Sequence, residues 1–188
     1  HAIFSNPVRY PRWQRSCDFP RHSGHYVVDL ASAYRALPRP ETAAALSRFG
    51  DYWWQRQDGR CLPMESRTGG PPGIRSTSQT LSLGISMLDA AAVLKSVLPD
   101  LAAAFHERGA TYCQFFLEAP HDLKNRRFVA NYPQHGSGEP GYFRLLGSVY
   151  GSTSAMQNAL LSCAAYRTLN EPAFLSWAIS VAQAEDAE

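Results

Sequence analysis

The sequence lacks most of the patterns that identify a protein class directly. Its 188 residues contain no apolar run near the roughly 20 residues of a membrane span, and no signal-peptide pattern is visible. The phosphate-binding pattern G-x-x-x-x-G-K-[ST] and the nucleophile pattern G-x-S-x-G are both absent. We therefore expect no membrane partner, no phosphate-binding loop and no nucleophile of the α/β-hydrolase type.

Lysine is nearly absent: of the 18 basic residues, only Lys95 and Lys124 are lysines, and the others are arginines. The net charge of +2 is too small for the basic field that marks a nucleic-acid-binding protein, so we expect no nucleic-acid partner. Arginine binds carboxylates and phosphates in a bidentate manner, which would suit an anionic ligand. Codon bias explains the same composition, because alanine is abundant as well.

Cysteine is sparse, and the four residues form no C-x-x-C pair, which argues against a zinc or thioredoxin-like motif. Cys113 and Cys163 lie in apolar helical patterns and are predicted to be packed thiols. Cys17 and Cys61 lie in loop-like segments, where they would pair only in an exported protein. The sequence leaves the cellular compartment open, and we expect neither a metal nor another cofactor.

Three segments of the chain repeat one helical scheme. Each begins with a nearly apolar first helix, continues through a short break that contains proline, and ends with a more polar second helix. Proline is tolerated in the first turn of a helix, so each break predicts a tight corner between two helices. The first helices are predicted at 24–37, 77–97 and 150–169, and the second helices at 40–57, 99–118 and 171–184.

The repeat is also visible residue by residue. "AYRALPRPE" at 33–41 matches "AYRTLNEPA" at 165–173 at most positions. Repeated helical hairpins bury their apolar faces against one another, with apolar first helices inside and half-exposed second helices outside. We predict an all-α fold with a single domain over 1–188 and hairpins at about 24–57, 77–118 and 150–184.

Two long links separate the three hairpins. The first link covers about 58–76 and the second about 119–149, whereas the connections inside each hairpin take about three residues. Long links of this kind are uncommon in compact domains and are usually functional. Because the hairpins are parallel copies, both links are expected at the N-terminal end of the first helices, with a short strand near 127–132.

The repeat with its links resembles the (α/α) toroids of the six-hairpin glycosidase-like superfamily. The resemblance is carried by "YWWQRQDGRCLPMESR", an aromatic helix end followed by an R-Q-D-G turn, and by the inner-helix sequences "STSQTLSLGISMLDAAAVL" and "STSAMQNALLSCAAYRTL". That superfamily includes glycoside hydrolases, polysaccharide lyases and sugar epimerases. A toroid of this type has about ten to fourteen helices, whereas six are predicted here. The resemblance therefore implies an oligomer or a missing chain segment that completes the ring, or else an open arc of hairpins.

The resemblance implies a sugar site at the end of the bundle where the links gather. The candidate residues share that expected position and carry charged, imidazole or phenol groups; they are Glu65, Glu139, His135 and Tyr142 as catalytic residues, and His22, His25, Arg67 and Arg75 as substrate-binding residues. A hydrolase would use Glu65 and Glu139 as a carboxylate pair. A lyase would use Tyr142 or His135 as the base, while Arg67 or Arg75 neutralises a uronate carboxylate.

Each candidate also has a structural interpretation. Glu65 and Arg67 would form an ordinary salt bridge in a solvated loop, and the histidines would simply lie at a helix start. His22 and His25 share a helix face but lack a third ligand for a metal. Asp29, one turn after His25, is expected to need a charged partner in an apolar helix.

The sequence therefore favours a carbohydrate-active hydrolase or lyase that acts on a polysaccharide or a uronate-containing oligosaccharide. One alternative is a non-catalytic helical-repeat scaffold that binds a protein. Another is an isoprenoid-type enzyme on an α/α ring, which is weakened by the absence of a D-D-x-x-D or D-x-D-D run.

Overall fold

The computed structural model describes residues 20–57, 62–64, 74–125, 127–133, 142–145 and 149–186. The helices in these ranges are α1 (Pro20–Ala36), α2 (Pro40–Trp54), α3 (Thr77–Leu94), α4 (Pro99–Glu118), α5 (Val149–Leu169) and α6 (Pro172–Asp186). The strands are β1 (Pro63–Met64), β2 (Ile74–Ser76), β3 (Arg127–Pro133) and β4 (Tyr142–Leu145), and a 3-10 turn covers Leu123–Asn125. None of the described helices is long and apolar enough to cross a membrane.

The helices form three hairpins, and their ends differ from the expected ones by up to four residues. Pro40, Pro99 and Pro172 are the first residues of α2, α4 and α6. A proline at this position costs no hydrogen bond, because the first N–H groups of a helix have no partner within the helix. The corner between α5 and α6 also uses Asn170, whose φ of 55° lies in the left-handed region that asparagine tolerates.

Helices α1, α3 and α5 form the inner layer, and α2, α4 and α6 pack outside them. Helix α3 is the centre of the described part of the chain: it packs against α1, α4 and α5, and most of its residues are buried. The approach to α1 is close at Gly24, where an added Cβ would collide with the side chain of Ser86. This arrangement is part of an (α/α) toroid with inner and outer helix layers, as the sequence predicts.

Helices α3 and α4 approach each other more closely than ordinary side chains allow. A Cβ added to Gly109 would lie 2.8 Å from the Gly84 carbonyl oxygen, and one added to Gly84 would lie 2.9 Å from the Gly109 carbonyl oxygen. Two glycines therefore face each other where the backbones meet. The predicted packing of the aromatic helix end is confirmed as well, since Trp53 is buried and the Trp54 ring lies 5.9 Å from that of Tyr112.

The links add a small antiparallel sheet to the helical bundle. Its order is β1-β2-β3-β4, so the strands of the first link pair with those of the second. The expected strand near 127–132 is present as β3. The other strands have only two to four residues, and the pairing of β2 with β3, across more than 50 positions of the sequence, joins the two links.

Helix α1 differs from the prediction that the first helices are buried on several sides. It buries one stripe that includes Ser23, Gly24, Val27 and Ala31, and the rest of its circumference is half-buried or exposed. The reason is that α3 is the inner helix beside it in the described part of the chain. Asp29 lies on the exposed side, so water can solvate its carboxylate and the expected need for a charged partner is wrong.

Candidate functional site

The four-stranded sheet joins the two links beside the inner helices. Arg75 in β2 pairs with Tyr132 in β3, and Ser76 pairs with Asn131. Across the next strand pair, Asn131 lies opposite Tyr142 in β4. The register shifts between Val129 and Asn131, so β3 is irregular where it meets Tyr142. Residues 55 to 59 positions apart in the sequence are thus neighbours in one sheet.

Both hairpin loops of the sheet start from the same edge of the strands. Met64 pairs with Ile74, and Ile74 pairs with Pro133, so these three residues form one row across the sheet. Met64 and Ile74 flank the segment 65–73, and Pro133 directly precedes the segment 134–141. The opposite ends of the strands lead towards the helices, because Ser76 is followed directly by α3. The described backbone therefore directs the first and second links to a common place.

A cluster of hydroxyl groups at the start of α3 attaches this sheet to the bundle. The Ser76 side chain caps the helix by accepting a hydrogen bond from the Gln79 N–H at 3.2 Å. The Thr77 hydroxyl donates to the Val129 carbonyl at 2.6 Å, which fixes β3 of the second link. Thr80 accepts from the Leu62 N–H at 3.0 Å and donates to the Ser76 carbonyl at 2.7 Å, which fixes the first link.

The same cluster reaches the third hairpin. The Asn158 side-chain amide on α5 donates to the Ser78 hydroxyl at 2.9 Å, and Asn158 itself is buried. Ser76 thus caps α3, while Thr77 and Ser78 connect other parts of the fold. The start of α3 positions both links and an inner helix at once.

His121 fixes the other end of the second link. Its Nδ1 accepts from the Val129 N–H at 3.1 Å, and its Nε2 donates to the Phe116 carbonyl at 2.8 Å. The ring packs between Phe116 and Trp177, with centroid distances of 4.8 and 5.3 Å. Burial lowers the pKa of His121 to about 4, which keeps the ring neutral at ordinary pH. Val129 is therefore held by Thr77 through its carbonyl and by His121 through its N–H.

The predicted site residues differ in how far the structure describes them. Arg75 and Tyr142 lie in β2 and β4, two strands apart in the same sheet. Glu65, Arg67, His135 and Glu139 lie outside the described residues, as do Cys17 and Cys61. The catalytic and binding roles of all eight residues remain predictions. No group of histidine, cysteine, aspartate and glutamate among the described residues is arranged to hold a metal ion.

His22 and His25 lie in the first turns of α1 and not in the sheet. Gly24 packs at the level of Leu83 and Ser86 of α3. Since α3 begins at Thr77 and rises about 1.5 Å per residue, these histidines lie about 10 Å along the bundle from the start of α3. His25 is exposed and remains available to a ligand.

Three residues that contribute to this site, Asn131, Tyr132 and His121, are not among the predicted site residues. Asn131 and Tyr132 stood out only as members of the polar second link, and their pairing with Tyr142 and Arg75 comes from strand register. His121 was not recognised. Its signal was a histidine directly after an apolar helix end, "FFLEAPH", at the start of a long polar link.

The fold and the sheet together define a helical-hairpin protein with the inner and outer helix layers of an (α/α) toroid. A solved sugar epimerase from a ruminal bacterium is similar at a TM-score of 0.60 and 17% identity, over 85% of this chain and 39% of that one. A family 76 glycoside hydrolase from a bovine Bacteroides thetaiotaomicron strain has a TM-score of 0.49 and 15% identity, over 86% of this chain and 33% of that one.

These likenesses concern the fold, because the identities are low. The chain spans about two fifths of the length of the epimerase and a third of that of the hydrolase. No protein-family model matches the chain, and no curated protein sequence matches it.

Proposed function

We propose that the chain acts in a carbohydrate-active enzyme, on a polysaccharide or a uronate-containing oligosaccharide. The observation that carries this proposal is the shared sheet, in which two distant links meet beside the start of α3. Sites on (α/α) rings need polar and aromatic residues from several links at one end, and this sheet provides such a surface. The sugar epimerase with a similar fold gives independent support for a sugar ligand.

For the reaction, we favour a lyase that uses the row formed by Asn131 and Tyr142. In a β-elimination a base removes the proton beside the uronate carboxylate, the bond to the leaving sugar oxygen breaks, and that oxygen takes up a proton. A phenol is a suitable proton-transfer group, and an amide can hydrogen-bond the carboxylate as its charge develops. Directly paired residues lie about 5 Å apart, which is within reach of one sugar ring.

The neighbouring row offers a rival pair of similar chemistry. Arg75 pairs with Tyr132, so this row also combines a phenol with a group that neutralises a carboxylate. Successive rows of a sheet alternate between its two faces, so one ligand is not expected to use both rows. Substitutions in the two rows therefore distinguish the two sites.

A hydrolase is the second candidate, with Glu65 and Glu139 as its carboxylate pair. It is supported by the row of Met64, Ile74 and Pro133, because the segments that contain the two glutamates leave the sheet at this row. Inverting and retaining hydrolases need two carboxyl groups roughly 5 to 10 Å apart. Sugar epimerisation is a third candidate reaction, because a sugar epimerase has a similar fold. Epimerisation, like the lyase reaction, begins with the abstraction of a proton.

The experiment is an activity assay on pectate, alginate and a glycosaminoglycan, followed by ultraviolet absorbance of the unsaturated uronate and by reducing-end release. Tyr142→Phe should lower a lyase rate by about 100-fold or more, and Asn131→Ala should lower it as well. The matched control Tyr132→Phe should retain activity, as should Glu65→Gln and Glu139→Gln.

Other outcomes select other assignments. Loss of activity in Tyr132→Phe and Arg75→Ala alone would move the site to the neighbouring row. Loss in the two glutamate variants, with no unsaturated product from the unmodified protein, would identify a hydrolase. No binding of any sugar polymer, either by this chain or by the completed ring, would overturn the proposal and favour the protein-binding scaffold.

Completion of the ring, by an oligomer or by a further chain segment, remains part of this proposal. The inner helix α5 carries two exposed large apolar residues, Met156 at 43% and Leu160 at 70% exposure, one turn apart. An inner helix of a closed ring would cover such residues with the next hairpin. The whole enzyme's substrate cavity is expected to need that neighbour.

A further inference from the structure

A cleft lies between the hairpins at the end opposite the sheet. It is formed by the C-terminal half of α3, the first turns of α4 and the end of α5, and it has a volume of about 530 Å³. Cavities that bind small molecules have volumes of roughly 300–1,000 Å³ and are mostly apolar with a few polar groups. The cleft shares no residue with the candidate sugar site.

The floor of the cleft is hydrocarbon. Leu88, Ala91 and Ala102 line it and are at most 5% exposed. The space is lined by the short side chains of alanines on α3 and α4. An occupant of this floor must bring an apolar chain, since a polar one would lose its hydration without compensation.

The rim of the cleft is electropositive. Its ionisable side chains are those of Lys95 and His106, and the lining includes no acidic residue. The hydroxyl of Thr168, the other polar residue of the lining, donates to the Ala164 carbonyl at 3.2 Å. Of the two lysines in the sequence, one therefore lies at this rim.

Two helix ends meet at the same rim. Pro99, the first residue of α4, lines the cleft, and no side chain caps this helix start. The end of α3 has the opposite polarity, but its Leu94 carbonyl accepts hydrogen bonds from the Val97 and Leu98 N–H groups at 2.9 and 2.8 Å. Asp100 in the first turn of α4 offsets the positive end of that helix, so Lys95 is the group that favours an anion at this rim.

We propose that this cleft binds a linear aliphatic carboxylate, with its chain on the alanine floor and its head group beside Lys95. The apolar floor selects the hydrocarbon, and the ammonium group of Lys95 selects the anionic head. The site is independent of the proposed sugar chemistry at the other end of the bundle.

The two lysines make the test direct. Reductive ¹³C-methylation retains the lysine charge and labels Lys95 and Lys124, and Lys95→Met assigns the two signals. Decanoate, added below its micelle concentration, should shift the Lys95 signal in a saturable manner and leave the Lys124 signal unchanged. Acetate, which lacks the chain, should shift neither signal.

Calorimetric titrations separate the contributions of head group and chain. Decan-1-ol should bind up to about fivefold more weakly than decanoate, which is the range of a partly exposed ion pair. Lys95→Met should reduce decanoate affinity to that of the alcohol and leave alcohol binding unchanged. Ala103→Leu, at an exposed lining position, should weaken both ligands by narrowing the cleft.

The matched control is Lys124→Met, which should bind both ligands as the unmodified protein does. Three results would overturn the proposal: no saturable Lys95 shift with decanoate, equal shifts of both lysine signals, or unchanged decanoate affinity in Lys95→Met. None of these results bears on the sugar assays, so the two proposals stand or fall separately.

Discussion

At the scale of single residues, His121 has the clearest pH signature. Its ring is buried, neutral and bonded at both nitrogens, and burial lowers its pKa to about 4. In the unfolded chain the histidine pKa is about 6.5. The stabilisation from His121 is therefore complete above pH 6.5 and is lost as the pH falls through 4. At about 1.4 kcal/mol per pKa unit, up to about 3 kcal/mol of unfolding free energy is at stake.

Urea unfolding between pH 7 and pH 4 measures this effect. The unmodified protein should lose stability over this range, and His121→Gln should lose less because it has no ring to protonate. His25→Gln replaces an exposed histidine and serves as the control. Its unfolding free energy should depend on pH in the same way as that of the unmodified protein. An equal slope in His121→Gln would show that other groups cause the acid sensitivity.

Thr77 is the second residue with a measurable role. Its hydroxyl hydrogen bond to the Val129 carbonyl spans 52 positions of the sequence and is buried. Thr77→Val keeps the shape but removes the donor, and it should cost about 1–3 kcal/mol of unfolding free energy. Thr77→Ser retains the hydroxyl and should recover most of the loss in the same urea titration. If valine and serine behave alike, side-chain volume rather than the hydrogen bond fixes β3.

At the scale of elements, the contact between α3 and α4 depends on two glycines. Alanine is normally the better helix former, so Gly109→Ala would stabilise an isolated helix by about 1 kcal/mol. Here its Cβ would lie 2.8 Å from the Gly84 carbonyl oxygen. We expect the opposite sign, a destabilisation of about 1–3 kcal/mol, because the helices must move apart. Thermal unfolding decides between the two signs.

The helices could be predicted from the sequence, because their signals are local. Pro40, Pro99 and Pro172 mark helix starts within the chain itself, and the apolar periodicity fixes the lengths of α4 and α5 to within one residue. The sheet could be predicted only in part. β1 and β2 have two and three residues, too few for an alternating pattern, and β2 also pairs with β3 of the other link.

The candidate site was predictable by residue type and less so by arrangement. The link sequences identify tyrosine, arginine, asparagine and glutamate as suitable for sugar chemistry. Which tyrosine lies opposite Asn131 depends on the register, and the shift after Val129 moves the pairing by one residue. A pattern with a period of two cannot anticipate such a shift.

At the scale of the whole molecule, the exposed residues of α5 are unimportant for the stability of this chain alone. Leu160 is 70% exposed, so replacing it by glutamine removes little buried surface. Its role is expected only when another hairpin covers the inner layer.

The described core consists of two clusters that share the central hairpin. Leu81, Ile85 and Leu88 of α3 pack with α5, α6 and β3, whereas Leu83 and Met87 of the same helix pack with α1 and α2. Helix α4 contributes to both clusters in the same way, through Phe116 to one and Phe105 to the other. Opening either outer hairpin leaves one cluster intact, whereas opening the central hairpin disrupts both.

Hydrogen exchange should therefore show a gradient along the chain rather than uniform protection. In repeat folds the stability is a sum of unit and interface contributions, and local opening begins where few interfaces are lost. We expect the slowest amide exchange in α3 and α4, and faster exchange in α1–α2 and α5–α6, measured by mass spectrometry of peptides. Phe174→Ala, in the cluster around α6, should accelerate exchange in α5–α6 and leave α1–α2 unchanged. Leu88→Ala should accelerate exchange in all three hairpins, and equal protection of all six described helices would show that they open as one unit.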